Sequence, residues 1–428
     1  MSLAGVADRP ATSFTRDMVG AAPVAVLRVA AAAFTVAALG QLPPSLVNVA
    51  GGGLAVPTQL RVGWLYTMAG HAVSITATGS GGSVEGLDAG VLRVRLGMLT
   101  IAAVAVTMLA YGGRAAARRV DDVGARRVLA GAMVAVPYGL LLGGVNTEAV
   151  LRLDTGGGFL PGVTTIAASV WEGFALPAAI ALVAGIAGGW SMSASWQRPG
   201  ARAVRAGGRA FLWAGALSFV GLLAFASLRP EGLERYSVEV WSQGPQRAAL
   251  YLGHQGLLAP NQAMWVLAPA MGGCVSLRAD AAAHDLVCLD RIPRGPDPAT
   301  WLLSELGRVG GDPPTAPMPV TAWLFLAAPA TAIVLGFRGL GRAGATIPRA
   351  LGRGVLGGLV FAALVSVVSL ASALWLSVGD GEVTRLIVLG PDPVTTCLLA
   401  TAWGVVGGAV VSAATPVRRR LSRRERPR

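Results

Sequence analysis

Long apolar stretches separated by short polar connections dominate the chain. A helix that crosses the roughly 30 Å hydrocarbon core of a bilayer needs about 20 mostly apolar residues. Eight stretches satisfy that requirement: residues 18–40, 90–111, 128–145, 163–190, 210–228, 318–337, 354–378 and 394–414. The pattern predicts an all-α, polytopic transmembrane helix bundle of about eight spans.

Two further apolar segments, residues 53–78 and 248–277, do not fit as ordinary spans. Pro260 and Pro269 interrupt the second segment, and a single crossing there would put the next arginine-rich connection on the wrong side of the membrane. Each segment is therefore predicted to form a Pro-interrupted hairpin, either re-entrant or lying on the outer surface. Irregular backbone at membrane depth must be buried in protein or line a wet cavity, because lipid offers no hydrogen-bond partners.

The connections between the apolar stretches alternate in charge. Arginines crowd residues 114–127, 198–209, 338–353 and the tail 416–428, whereas the intervening connections are acidic or mixed. Basic connections stay on the cytoplasmic side of a membrane. The sequence therefore predicts a multi-pass protein of the plasma membrane with both termini in the cytoplasm.

Composition supports a lipid-embedded chain and excludes several kinds of chemistry. Hydrophobic residues make up 54% and charged residues 13%, whereas charge alone reaches about a quarter in soluble domains. The net charge of +13 lies in connections rather than on one face, so nucleic acid is not expected as a partner. Every basic residue is arginine, which excludes a Walker or Schiff-base lysine.

The three cysteines show no metal-binding spacing, and neither a metal nor a cofactor is expected. Cys274 and Cys288 are close enough in sequence to form a disulfide on the outer face.

Self-comparison predicts that one helical unit occurs twice. The motif G-L-x-x-P-x-Q stands at residues 53–59 and again at 256–262, and shorter matches follow in the same order. The expected units are residues 1–205 and 206–428, each with four spans and one hairpin. An even number of spans gives both units the same orientation, related by a pseudo-two-fold along the membrane normal.

The segments 63–74 (GWLYTMAGHAVS) and 251–261, which ends in LLAPN, resemble those of the actinobacterial PerM-like and streptophobe-type multi-pass membrane proteins. The resemblance implies an envelope role linked to cell division and no catalytic residues.

Candidate functional residues lie in the two hairpins and inside the spans. Paired Pro-interrupted segments are typical of transporter sites, although such prolines can simply make a turn whose backbone the amides satisfy. The hairpin candidates are Pro57, Gln59, His71, His254, Pro260, Asn261 and Gln262. Arg28 and Glu172 are the ionisable candidates inside spans; Glu172 is expected to be hydrogen-bonded in the bundle, and Arg28 to snorkel to the interface.

The sequence thus predicts a non-enzymatic membrane protein of the cell envelope that scaffolds or regulates other membrane proteins. The bilayer is its expected environment, and the outer loop 278–317 is the expected docking surface for membrane-protein partners. The alternative is a transporter or channel whose path runs at the pseudo-two-fold between the hairpins.

Overall fold

In the computed structural model of the chain, the described residues are 11–79, 91–120, 124–152, 163–193, 196, 198–228, 242, 244–279, 282–293, 315–317, 324–338, 340, 346–379 and 384–424. Most of them are helical.

Seven helices come from the first part of the chain: α1 (Ala11–Gly40), α2 (Leu42–Val49), α3 (Val56–Gly70), α4 (Leu99–Ala117), α5 (Gly124–Ala132), α6 (Ala135–Asn146) and α7 (Val170–Trp190). The remainder contributes α8 (Pro199–Leu228), α9 (Pro245–Ala270), α10 (Ala327–Phe337), α11 (Ile347–Ser372) and α12 (Pro393–Arg424). The expected division after residue 205 falls inside α8.

The prediction of a membrane-embedded bundle is confirmed at the level of its helices. Among the described residues, seven segments are long and apolar enough to cross a membrane: Asp17–Gly40, Leu99–Ala117, Gly124–Asn146, Val170–Ser191, Pro199–Ala224, Ile347–Ser372 and Pro393–Ala414. A shorter apolar helix covers Leu324–Phe337. These eight segments overlap the eight predicted stretches, and the shorter helix corresponds to the sixth of them, residues 318–337.

The all-α prediction is wrong in one respect, because ten strands accompany the helices in the described part of the chain. They are β1 (Ile75–Gly79), β2 (Val91–Leu96), β3 (Leu151–Arg152), β4 (Val163–Ala168), β5 (Cys274–Ala279), β6 (Ala282–Cys288), β7 (Arg291–Pro293), β8 (Thr315–Pro317), β9 (Leu374–Gly379) and β10 (Thr384–Pro391). Eight form one antiparallel sheet in the order β3-β4-β1-β2-β9-β10-β5-β6, and β7 pairs with β8.

Three predicted spans included strand residues at one end. Residues 90–98 contain β2, residues 163–168 form β4, and residues 374–378 lie in β9. Four of the six residues of β4 are β-branched and β2 alternates with period two, and both features favour strand over helix. Hydropathy alone could not separate these strands from the helices that they adjoin.

The hairpin prediction is also wrong for both segments. Residues 53–78 form α3 and then β1, and residues 248–277 form α9 and then β5. Pro260 does not break α9, although it cannot donate to the carbonyl of Gly256 four residues earlier. The hydroxyl of Thr100 in α4 donates to that carbonyl instead, at 3.3 Å.

All strands of the large sheet lie at one end of the bundle. They connect α3 to α4, α6 to α7 and α11 to α12, and they follow α9. The arginine-rich connections lie at the opposite end, and there Arg126 contacts Asp17 of α1 at 3.6 Å between Nη1 and Oδ2. The helices that precede strands therefore end at the sheet, and α4, α7 and α12 begin there and run towards the arginine-rich end.

Strand order does not follow the expected two-fold. A two-fold relation would pair equivalent strands at the centre of the sheet. Instead, β2 pairs with β9 there. These strands are not equivalent, because β2 is the second sheet strand of its half and β9 is the third. The four strands β3-β4-β1-β2 are followed head to tail by β9-β10-β5-β6. Two buried apolar clusters lie beneath, and Leu257 of α9 belongs to the first while Leu99 of α4 belongs to the second.

Candidate functional site

The centre of the sheet has one polar and one apolar face. In β2, Arg93 and Arg95 alternate with Leu92, Val94 and Leu96. Side chains of a strand point alternately to opposite faces, so both arginines lie on the same face. The other face carries the apolar positions.

Antiparallel register extends this separation across neighbouring strands. Arg93 lies opposite Thr76 of β1 and Ser377 of β9, and Arg95 lies opposite Trp375. On the other face, the buried Leu277, Leu286 and Ile387 form an apolar cluster. The polar face is therefore continuous over the seam between the two halves of the sheet.

A cleft of about 270 Å³ opens on this polar face. Its lining combines charged, hydroxyl, aromatic and aliphatic side chains: Ser74, Arg93, Arg95, Glu172, Trp375, Leu376, Ser377 and Leu386. Residues from β2 and β9 meet here, so neither half of the sheet forms the cleft alone.

An ion pair fixes the floor of the cleft. Nη2 of Arg95 donates to Oε1 of Glu172 at 2.6 Å, and the backbone N–H of Ser74 donates to Oε2 at 2.7 Å. The carboxylate lies in the first turn of α7, where the positive end of the helix dipole favours negative charge. The ion pair therefore joins sheet and bundle at the level where α7 begins.

A second arginine–carboxylate pair occupies the start of α12. Arg278 of β5 contacts Asp392, and the backbone N–H of Thr395 donates to Oδ2 of Asp392 at 2.7 Å. Asp392 thus caps the helix while it neutralises an arginine of the sheet. Each of the two ion pairs connects a strand to the helix beneath it.

Arg93 is different, because it is exposed and forms no ion pair with the described residues. With Arg95 already neutralised by Glu172, the cleft carries one uncompensated positive charge. Trp375 and the hydroxyl of Ser377 lie beside that charge. Chemically, the cleft can bind a carboxylate or phosphate group held against an aromatic side chain.

The predicted hairpin residues do not come together in one site. Pro57 lies in the first turn of α3. Gln59 accepts from Nδ2 of Asn48 at 2.7 Å and donates to Oγ of Ser45 at 3.0 Å. These bonds attach α3 to α2, which agrees with amides that satisfy a local structure.

Asn261 has the most central position of the predicted residues. It is buried, its Nδ2 donates to the carbonyl of Gly97 at 2.6 Å, and its Oδ1 accepts from the N–H of Leu99 at 3.0 Å. Gln262, its neighbour, donates to Gln255 within α9. Asn261 therefore connects α9 to the junction of β2 and α4.

The two predicted histidines have separate partners. His71 is buried: its Nδ1 lies 2.8 Å from the carbonyl of Thr67, and its Nε2 lies 2.9 Å from the hydroxyl of Tyr138. Because a carbonyl only accepts, Nδ1 carries the proton and Nε2 accepts from Tyr138. Burial lowers the pKa of His71 to about 4, although its bond to Thr67 opposes that shift.

His254 lies on α9 with Nδ1 at 3.4 Å from the hydroxyl of Tyr66 in α3. Burial lowers the pKa of His254 and raises that of Tyr66 to about 12. Both groups are therefore neutral at pH 7, and they form a contact between helices of the two halves.

The two ionisable candidates within spans have different surroundings. Glu172 is hydrogen-bonded, as the sequence favours, but at the end of its helix rather than deep within it. Arg28 lies on the exposed side of α1, and its Cβ lies beside Gly112 of α4. Its snorkelling stays a prediction.

Cys274 and Cys288, whose pairing the sequence leaves open, form a disulfide that links β5 to β6. Asp285 lies near the two sulfurs, but zinc needs thiolates. Of the expected docking loop, only β6, β7, β8 and residues next to them are described; the rest of residues 278–317 lies outside the described residues.

Sequence reasoning missed the cleft because it assigned β2 and β9 to the ends of membrane helices. The alternation in VLRVRL at residues 91–96 was the available signal, since charge at every second position is typical of a two-faced strand. Nothing in the sequence indicated that β2 would pair with β9. Comparisons with protein-family models, with curated proteins and with solved structures found no match.

Proposed function

We propose that this integral membrane protein is a non-enzymatic scaffold of the cell envelope, which docks the outer part of a partner membrane protein on the polar face of its sheet. The observation that carries the proposal is the cleft at the β2–β9 seam, where an unneutralised arginine lies beside an aromatic side chain. An acidic segment of the partner would match this charge. The link to cell division rests on the family resemblance.

We further infer that the sheet lies outside the plasma membrane and that both termini are cytoplasmic. The arginine-rich connections lie at the end of the bundle opposite the sheet, which is the arrangement that the positive-inside rule favours. The disulfide between β5 and β6 fits an oxidising compartment.

Tandem duplication is part of the same proposal. The succession of a helix, two strands, helices, two strands and a helix begins with α3 and again with α9, apart from the small pair β7–β8. The strand orders β3-β4-β1-β2 and β9-β10-β5-β6 correspond position by position. Such copies would be related by a displacement along the sheet, and their junction would create the cleft.

A scaffold explains the polar residues of the cleft better than catalysis does. Its one carboxylate, Glu172, is held by Arg95 and by the backbone of Ser74, so it is a poor proton acceptor. We do not extend the proposal to transport, because Gln59, Asn261 and His71 are hydrogen-bonded within the fold.

Site-specific crosslinking in living cells tests the docking surface. A photoreactive phenylalanine analogue replaces Leu386, which is exposed and lines the cleft, and the Arg93→Glu change is then added. We expect a defined crosslinked species that falls at least about fivefold in the charge-reversal variant, because one charged contact contributes about 1 kcal/mol or more.

Arg152→Glu is the matched control, because Arg152 is also an exposed sheet arginine without an ion pair to described residues, but it lies in β3 and does not line the cleft. It should leave the crosslink unchanged. A crosslink that is absent in the parent, or equally reduced by both changes, would contradict docking at the cleft.

A further inference from the structure

A second cavity lies between α1, α3 and α6, away from the sheet cleft. Its volume is about 590 Å³, which is within the range of small-molecule sites. Ten residues line this lateral groove: Phe34, Ala37, Ala38, Gln41, Leu60, Arg61, Trp64, Val145, Glu148 and Ala149. Its lining combines apolar side chains of α1, α3 and α6 with the polar groups of Gln41, Arg61, Trp64 and Glu148.

The groove opens towards the surroundings of the bundle. Phe34 and Leu60 are exposed large apolar residues in its wall. The wall is about 10 Å long from Phe34 to Gln41, as the rise per residue of an α-helix gives. In a membrane-embedded protein, acyl chains are the apolar groups available at such a surface.

Two polar atoms in the wall are buried without a hydrogen-bond partner among the described residues. They are Nε1 of Trp64, which can only donate, and Oε1 of Gln41, which can only accept. The amide of Gln41 is held in place, because its Nε2 donates to the carbonyl of Leu60 at 3.1 Å. An unmade hydrogen bond of this kind is costly, and both side chains that carry these atoms line the groove.

Opposite charges accompany these atoms. Arg61 and Glu148 both line the groove, both are exposed, and no ion pair joins them. Arg61 and Trp64 offer donors, whereas Glu148 and Gln41 offer acceptors. A ligand that satisfies both sets needs an anionic acceptor and a cationic donor, joined to an apolar chain.

We propose that the lateral groove binds one zwitterionic phospholipid with a primary ammonium head group, of the phosphatidylethanolamine class. Its phosphate faces Arg61 and Trp64, and its ammonium donates to Glu148 and Gln41. The acyl chains lie along Phe34, Ala37 and Val145. This site is independent of the docking surface on the sheet.

Native mass spectrometry of the purified full-length protein tests the assignment. The protein is titrated separately with phosphatidylethanolamine, phosphatidylcholine and phosphatidylglycerol of identical acyl chains. We expect phosphatidylethanolamine to bind about tenfold more tightly than the other two, since a quaternary ammonium cannot donate a hydrogen bond and glycerol carries no positive charge.

Single substitutions test which residues contact the ammonium and which contact the phosphate. Glu148→Gln should remove most of the preference over phosphatidylcholine. Both lipids lose the attraction between the carboxylate and their positive head group, but only phosphatidylethanolamine also loses a hydrogen bond to it. Arg61→Gln and Trp64→Phe should weaken phosphatidylethanolamine binding about tenfold and about threefold. Arg152→Gln in β3, which lines neither the cleft nor the groove, is the control and should bind as the parent does.

Equal affinity for the three lipids would overturn the ammonium assignment. Preference that survives both Arg61→Gln and Glu148→Gln, in variants whose thermal unfolding matches that of the parent, would overturn the groove as its site.

Discussion

At the scale of single residues, buried polar side chains connect distant parts of the chain. Asn261 satisfies a carbonyl and an N–H at the start of α4, while Trp265 on the same helix donates to the carbonyl of Ser372 at 3.1 Å. Gly97 in turn donates to the carbonyl of Ala371. The β2–α4 and α11–β9 junctions thus meet at α9.

Asn261→Ala should therefore destabilise the protein strongly. The change leaves the carbonyl of Gly97 and the N–H of Leu99 unpaired in a buried position, which costs about 2–4 kcal/mol. Thermal unfolding in detergent should show a midpoint lower by several degrees.

Gln262→Ala is the control for that variant, because Gln262 is only partly buried and bonds within α9. It should change the free energy of unfolding by less than about 0.5 kcal/mol. Equal losses of unfolding free energy in the two variants would show that the interhelical bonds of Asn261 do not contribute more to stability than the bond of Gln262.

His71 illustrates a residue whose type was recognised but whose role depended on the fold. Its neutral ring connects α3 with α6 through Tyr138. The lowered pKa means that the unfolded chain binds a proton at this residue which the folded chain does not. The stability contributed by neutral His71 is present above its ordinary pKa of about 6.5 and is lost as the pH falls towards 4.

At the scale of elements, glycines allow α11 and α12 to approach closely. The sequence indicates GxxxG contacts at 354/358 and 404/408, and the structure places Gly354 against Gly408 and Gly358 against Gly404. A Cβ on Gly358 would collide with the carbonyl of Gly404. Without a hydrophobic force between helices in lipid, such close backbone contact supplies much of the attraction.

Gly358→Ala should destabilise the α11–α12 pair, because the helices must separate to admit the methyl group; we expect a loss of about 1–3 kcal/mol. Gly352→Ala in the same helix is the matched control, since no atom lies within 4 Å of its added Cβ.

The control should be neutral or more stable by up to about 1 kcal/mol, because alanine favours helix over glycine. Thermal unfolding of both variants in the same detergent makes the comparison. A loss at residue 352 as large as that at 358 would contradict the packing argument.

At the scale of the whole molecule, the sheet fixes which helix ends share a side. Its strands connect three pairs of helices, follow α9 and form one continuous ladder, so those helix ends cannot lie on opposite membrane surfaces. Only the assignment of that surface to the outside depends on charge.

Labelling in intact cells checks that assignment. Single cysteines are introduced by Thr147→Cys and Ser422→Cys in a Cys397→Ser background, which removes the free cysteine. Thr147 lies at the sheet end of α6, and Ser422 lies in the basic tail at the end of α12. A membrane-impermeant maleimide should label residue 147 directly and residue 422 only after permeabilisation. The reverse result would invert the proposed topology.

The sequence by itself determined the membrane bundle, the position of eight apolar segments and the alternation of basic connections. These features depend on hydrophobicity and charge that are local in sequence. Gly354, Gly358, Gly404 and Gly408 were identifiable for the same reason, since their spacing places each pair on one helix face.

Only the tertiary structure decided that the ends of several spans become strands and that Pro260 is tolerated. A period of two over six residues is too short to outweigh hydropathy, and Thr100, which compensates Pro260, is 160 residues away in sequence. The cleft depends on the pairing of β2 with β9, and the lateral groove on the approach of α3 to α1 and α6. Such pairings arise from long-range packing and backbone hydrogen bonding, which no local pattern encodes.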